Sequence, residues 1–417
     1  VPVNLRDCPP FASRHRPDLG AEDRDAWQRA FERGAQAADE GRPDDAVAAW
    51  TEAAAIDDRH AELMYRLAVA HDELGHLSAA GYYHRARDLD VLRFRADSRI
   101  NRIIRETAAE GAKTGVRLVD LAGAFARFSD GGVPGDALFY EHVHFTFSGA
   151  YLVARELLGP VLEAVTADEA ADLGAVPDQP RAVEQLAFTP WDRIRVGIEL
   201  GGRLRRPPFS RQLDNAEDLA ALEHWIRELR GLIEREGVAR SLATYRGQLA
   251  AFPDDWILHF NLGNLLLHGL GDAESAEPHH RVVVDRHPEF ARGWTLLGWD
   301  LLRQGRSEEA VRAFGRSLEL APDPATMTAL GTALGTDGRV DEALDILEQA
   351  VATAPDDPGA SYALGVTLMR SDPDDPDIRR RARALFERTL EIDPRHEPAS
   401  AALDQIDAGR TGPVATE

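Results

Sequence analysis

Cysteine is nearly absent from this sequence: Cys8 is the only one in 417 residues. That excludes an internal disulfide and any multi-cysteine zinc site. Long apolar runs are missing too. None approaches the roughly 20 residues that span a bilayer, and the N-terminus has no basic segment followed by an apolar one. Basic residues are scarce beside acidic ones, 48 against 71, giving a net charge of −23 and a pI near 5.0. A field of that sign repels phosphate backbones and anionic lipid, so neither nucleic acid nor a membrane surface is expected as a partner. The lone cysteine fits a reducing compartment, and the expected location is cytoplasmic. The first residue is Val1 instead of Met, so a processed or partial chain is expected.

What the sequence has in quantity is self-similarity, and its length leaves room for two or three domains. In the C-terminal half, Leu297-Gly298, Gly305, Ala310, Phe314 and Pro322 are followed by Leu330-Gly331, Gly338, Ala343, Ala350 and Pro355. The step between the two prolines is 33 residues (355 − 322 = 33), against the roughly 34 of a tetratricopeptide repeat. Leu262-Gly263 with Pro288 marks a unit before them, and Tyr245 with Pro253 marks half of another. Leu364-Gly365, Phe386 and Pro394 mark a last unit, its turn lengthened by the Ser371 to Pro376 segment. Small residues recur because the first helix of each unit must approach the second closely. Stacked units then share a core that none could bury alone and leave a binding face for a protein or peptide.

A second pair of hairpins is expected between Ala21 and Asp90. Trp27, Gly34, Ala37, Ala46, Trp50 and Ala53 stand at the packing positions of one unit, and Leu67-Ala68, Leu74-Gly75, Ala79, Tyr83 and Ala86 at those of another. Before the first group of repeats and between the two groups the pattern changes. Val1 to Leu5 and Val116 to Leu121 are β-prone, and Ser98 to Glu110 reads as a helix with Ile100, Ile103, Ile104 and Ala108 on one face. Helix, short turn, strand, loop and helix make an α/β half-unit. Its loop carries Glu141 and His144, three residues apart, and runs into a helix whose apolar face is Ala150, Val153, Ala154, Leu157, Leu158 and Val161, with Thr146 or Ser148 as its cap.

An acid-x-x-His step just before a glycine-containing helix start resembles the last sequence block of SGNH (GDSL-type) hydrolases. The whole arrangement resembles bacterial proteins in which tetratricopeptide repeats are inserted into, and appended to, an SGNH-hydrolase-like domain. The residues that carry it are Asn4 to Phe11, Arg93 to Asn101, Leu138 to His144, and Arg206 to Phe209 with Gln212 to Asp214. The resemblance implies His144 as general base and Glu141 as the carboxylate that orients it. The family's nucleophilic Ser and its Gly and Asn oxyanion blocks precede this step, and none stands between Val1 and Tyr140.

The expected fold class is mainly α: a tetratricopeptide-repeat solenoid plus a partial α/β, flavodoxin-like SGNH unit. Residues 1–20 and 91–165 form that unit, with hairpins inserted at 21–90. A linker and helical segment at 166–236, of which Ala167 to Gln179 is the linker, leads to the repeat array at 237–407 and a flexible tail at 408–417. The expected function is a repeat scaffold for protein or peptide binding that carries the His-bearing half of an esterase domain, inert alone because the nucleophile is missing. The alternative is part of an active ester hydrolase whose Ser, Gly and Asn blocks lie upstream of Val1 or on a partner chain.

No cofactor and no metal is expected. His142 and His144 could ligate a metal with Glu141, but the sequence nominates no further protein ligand. Ser129 and Ser148 do not lie on a glycine-flanked strand-to-helix turn. His279, His280 and His287 fall on the second helix of an imperfect repeat, where helix packing and solvation account for them. Trp256, Trp294 and Trp299 read as repeat core. Asp372 to Asp377 lacks the spaced acid order of a calcium loop. The two predicted strands would have unpaired edges and an uncovered apolar face, through which the chain is expected to associate.

Overall fold

In the computed structural model the described residues are 1–166, 176–236 and 238–408. They form two compact units, Val1–Arg235 and Glu236–Glu417. Most of the expected linker at 167–179, and the tail from residue 409, lie outside the described residues.

The first unit opens with the two expected hairpins, α1 (Ala21–Asp39) with α2 (Pro43–Ile56), and α3 (Ala61–Glu73) with α4 (Ala79–Leu89). The small residues do what their spacing requires. A Cβ on Gly34 would fall 2.3 Å from the Trp50 ring, so only glycine lets the two helices close over that indole. Trp27, Trp50, Leu63, Leu67 and Tyr83 are buried in the resulting core. Then come α5 (Ser98–Gly111), α6 (Leu121–Arg127), α7 (Phe147–Thr166), α8 (Gln179–Gln185), α9 (Pro190–Leu204) and α10 (Asn215–Glu236). At the start of α9 the Asp192 carboxylate accepts from the Thr189 N–H at 2.8 Å, the reciprocal half of a capping box.

The expected α/β unit does not form. Among the described residues there is no strand, and the sole ladder contact is an antiparallel bridge between Phe139 and Phe145. The reason differs for the two predicted strands. Val1 to Leu5 is extended, but its amides meet loop carbonyls, Asn4 to His142 at 3.0 Å and Leu5 to Pro134 at 2.9 Å, while Val3 and Leu5 bury themselves in the core of the hairpins. Val116 to Leu121 has no partner strand among the described residues, and Val116 and Leu118 remain exposed. The expected pairing through strand edges therefore has no support among the described residues. The uncovered apolar face exists in another form: Ile100, Ile103 and Ile104 of α5, and Leu157 and Val161 of α7, are exposed.

The N-terminal segment is locked by a buried ion pair. Arg95 Nη1 donates to the carbonyls of Asn4 (3.0 Å) and Cys8 (2.7 Å), and its Nη2 reaches Asp90 at 3.3 Å. Asp90 in turn accepts from the Phe11 and Ala12 amides. Removal of either partner would strand a buried charge, so the pair fixes the register of residues 4–12.

The second unit is built from α11 (Val238–Ala251), α12 (Trp256–Asn264), α13 (Ala273–Arg286), α14 (Ala291–Arg303), α15 (Ser307–Leu320), α16 (Pro324–Thr336), α17 (Val340–Thr353), α18 (Pro358–Ser371), α19 (Pro376–Ile392) and α20 (Glu397–Asp407). Each packing glycine faces a large residue of the next helix: Gly298 under Phe314, Gly331 under Leu347, Gly365 under Phe386. The first helices also touch one another, α14 on α16 and α16 on α18, and form a continuous row. One irregularity has a simple origin. From packing glycine to turn glycine the chain runs 7 residues in two repeats (305 − 298 and 338 − 331) but 8 in the first (271 − 263). The extra residue is absorbed as a π-turn over Leu265–Gly269 at the end of α12.

Candidate functional site

The Glu141/His144 loop is a tight turn held from both sides. Tyr140 N donates to His144 O at 2.8 Å and Thr146 N to Leu138 O at 3.0 Å. Below it Phe139 and Phe145 pack on Phe125 of α6, with ring centroids 5.2 to 5.4 Å apart. Thr146, not Ser148, caps α7, its Oγ1 accepting from Gly149 N at 3.2 Å. Gly149 is required here because a Cβ would fall 2.2 Å from the Leu138 carbonyl oxygen.

The turn brings together the two residues singled out by spacing. Glu141 is buried, and its Oε1 pairs with His144 Nδ1 while Oε2 pairs with His142 Nδ1. Burial opposes ionisation of Glu141, but the hydrogen bond and charge of His142, the Val143 N–H and the charge of His144 outweigh it and hold the carboxyl at about 2. The carboxylate is therefore ionised at neutral pH and accepts the Nδ1 proton of His144. His144 itself is exposed.

Two further parts complete the site, the first without any signal in the sequence and the second with one. Arg203, on α9, places Nη1 3.4 Å from Glu141 Oε1 and 2.9 and 3.2 Å from the two ring nitrogens of His144. With Nδ1–H committed to Glu141, Nε2 is the ring atom left to accept from the guanidinium. No spacing signal links residue 203 to residue 144. His142 is clamped by two phenylalanines, Phe11 at 5.5 Å and Phe209 at 5.2 Å between centroids, and those two rings meet edge to face at 5.3 Å. The repeated Pro-Pro-Phe of residues 9–11 and 207–209 thus ends in one aromatic cluster. It offers a signal, but one with no stated partner.

The ligand atoms of Glu141, His142 and His144 lie within 4.8 Å of one another, close enough for a metal ion. Arg203 puts a fixed positive charge against the same carboxylate oxygen, where it opposes a dication. Neither serine considered as a nucleophile meets the imidazole: Ser129 Oγ donates to Phe125 O at 2.8 Å, and Ser148 Oγ accepts from Gln179 at 2.9 Å. Among the described residues, no serine hydroxyl is hydrogen-bonded to His144.

His279, His280 and His287 of the second unit do not converge. His279 Nδ1 lies 2.8 Å from His259 Nδ1, and His259 Nε2 donates to Pro253 O at 3.0 Å. His259 Nδ1 is then an acceptor and His279 supplies the proton. Burial, with the charges of His259 and His280, lowers His279 to about 4. His280 is wholly buried over Gly263 and pairs with the equally buried Asp300 at 2.6 Å. His287 packs on Trp256. Trp299 lies edge-on to Phe314 and Trp294 Nε1 donates to Pro288 O, so these tryptophans belong to the repeats.

The tetratricopeptide repeat family model matches residues 269–325, 295–358 and 328–372. The cytochrome c-type biogenesis protein CycH of Rhizobium meliloti (strain 1021) is 32% identical over 123 residues, 28% of this chain. The match spans 31% of that relative's own length. Among solved structures, YrrB, described as a TPR protein with an unusual peptide-binding site, is 21% identical; the match covers 42% of this chain and 89% of that one at a TM-score of 0.34. A thermophilic TPR protein of Thermus thermophilus is 17% identical over 53% of this chain and 100% of its own, at a TM-score of 0.36. The SGNH-like part of the expectation finds no support among these relatives. The chain is a helical scaffold that carries tetratricopeptide repeats across residues 269–372.

Proposed function

We propose that the chain binds a polypeptide segment along the row of first helices α14, α16 and α18. The observation that carries this reading is the direct packing of those helices on one another, which presents side chains from successive repeats to one extended ligand. Thr328 and Thr332 share a face of α16, each hydroxyl turned back to the carbonyl four residues earlier. That leaves their methyl groups to meet a ligand. Peptides selected by display against the full chain test the reading. Thr332→Arg should weaken the selected peptides about tenfold or more, whereas Arg316→Ala, in an exposed pair with Glu319 on α15, should not. Equal binding by wild type and Thr332→Arg overturns it.

A second reading is favoured by the Glu141–His144 pair. A buried ionised carboxylate on Nδ1 prepares Nε2 to take a proton, as in the base half of a serine hydrolase, with the hydroxyl supplied by another chain. On this reading Arg203 must release Nε2 before the base can act. Fluorophosphonate labelling should leave the chain unmodified alone. A labelled serine within these residues would contradict the outside origin of the hydroxyl.

A further inference from the structure

Beside the Glu141 turn, within the first unit, lies a cavity of about 420 Å3, a size typical of small-ligand sites. Leu200, Leu204 and Leu222 give its lining an apolar part, and Tyr140 and Trp225 add aromatic surface. Its charged part is of one sign. Asp7, Asp136 and Asp218 line it, and among the described lining residues there is no Arg, Lys or His. Glu141 lines it as well, but its charge is already matched by the two histidines and Arg203.

The three aspartates are not so matched. Asp7 accepts from the Asp136 N–H at 2.7 Å, and Asp136 from Asn4 Nδ2 at 3.0 Å. Asp218 receives no side-chain hydrogen bond among the described residues. Asp7 and Asp136 are exposed as residues and Asp218 is half-buried; desolvation of the Asp136 carboxyl, and then Asp7, push it up to about 7, against the pull of Asn4. Burial, then Asp214, Asp7 and Glu217, push Asp218 up to about 6. Carboxylates that repel one another across an apolar space are relieved by a cation from outside.

The nature of that cation follows from geometry. The aspartate oxygens do not converge as the ligand atoms of Glu141, His142 and His144 do, so a bare metal ion would not bridge them. Leucines suit an alkyl stem, and the faces of Trp225 and Tyr140 suit a cationic head or the methylenes beside it. We propose that this cavity binds an organic cation, a guanidinium or primary ammonium on an apolar stem, with Asp136 and Asp218 on the charged head and Trp225 on its flank. The site lies within the first unit, and its argument does not depend on the Glu141–His144 reading.

Such a head group is carried by free diamines and by arginine or lysine side chains of a polypeptide. Titration calorimetry on the full chain with three probes separates them: agmatine, N-acetyl-arginine N-methylamide, and the neutral N-acetyl-norleucine N-methylamide. At least one cationic probe should bind at about millimolar or tighter, and the neutral probe at least about tenfold more weakly. Tighter agmatine identifies a free cation as the ligand, and tighter capped arginine identifies a side chain. Asp218→Asn should lower the affinity about tenfold, and Asp136→Asn should do the same, with far-UV circular dichroism confirming that each variant is folded. Equal binding of the neutral probe overturns the proposal, as does unchanged affinity in both variants or no binding of either cation.

Discussion

The repeat array and the segment from residue 91 to 166 both carry amphipathic helices, but the array covers more of its apolar surface. In the array, Leu262, Leu297, Phe314, Leu347 and Phe386 are all buried, the last three against a packing glycine of the neighbouring helix. In the segment, α5 turns Ile100, Ile103 and Ile104 to solvent, and Leu118 is 45% exposed. Hydrophobic periodicity says which side chains share a face. It does not say that the chain supplies a second face to meet it. Repeats carry their own answer, because each unit is the partner of the next.

The sharpest way to break the comparison is to cut into the core where it is fullest. Phe314 is 0% exposed and lies directly over Gly298. Phe314→Ala should cost about 3–5 kcal/mol in the denaturant-induced transition of the second unit, since rigid neighbouring helices will not collapse into the space left behind. A cost of about 1 kcal/mol would mean that the array packs loosely and differs little from residues 91–166.

The second test uses an irregular position within the array. His280 sits where other repeats place Phe314, Leu347 and Phe386, and Asp300 corresponds to Ala333 of the next repeat. Burial pushes the Asp300 carboxyl up while His280 pulls it down. Asp300→Ala should cost about 3 kcal/mol, because it leaves a buried imidazole without its partner. His280→Phe combined with Asp300→Ala should restore wild-type stability or exceed it by about 1 kcal/mol or more. If the double variant is as unstable as the single one, the pair contributes more than an apolar repeat core would.

Much of the architecture is legible in the sequence, for identifiable reasons. The glycine-to-aromatic steps of 16 residues, Gly34 to Trp50 and Gly298 to Phe314, mark helix pairs by spacing alone. The Glu141–His144 contact is legible because three residues within a turn leave little freedom. The strands are not, since β-propensity describes a residue suited to a pleated surface and cannot certify a neighbouring strand. Val3 and Leu5 are claimed by the hairpin core instead. Arg203 is illegible for a different reason: it acts across 59 residues through a helix whose own pattern requires only that Arg203 lie off the apolar face.

At the site itself the comparison can be sharpened by charge. Glu141 is held at about 2, below the ordinary 4.5, so its ionised form favours the folded state. That contribution is fully present above pH 4.5 and is lost as pH falls toward 2. Glu141→Gln should cost about 1–3 kcal/mol at pH 7 through the histidines left unpaired, and the difference from wild type should shrink on acidification through that window. Stability curves at pH 7 and pH 3 check both the size and the sign.

The smallest expected effects fall on the open face, and they bear most directly on what distinguishes the two regions. Ile103 is 46% exposed, so Ile103→Glu should change stability by no more than about 0.5 kcal/mol, where the same substitution at Leu347 would unfold a repeat. Backbone amides give a second, independent reading. Val116 N bonds to Gly111 O and Leu121 N to Val119 O, but the amides of residues 117–120 have no acceptor among the described residues. Hydrogen exchange in a monomeric sample should therefore be fast across 117–120, while the amides of α14 and α16 exchange slowly because they lie inside packed helices. Strong protection of 117–120 in a proven monomer would mean that the segment has found a ladder partner. Protection that appears only as concentration rises, and disappears in Ile103→Glu, would instead mean that the exposed faces of α5 and the 116–118 segment cover one another between copies of the chain.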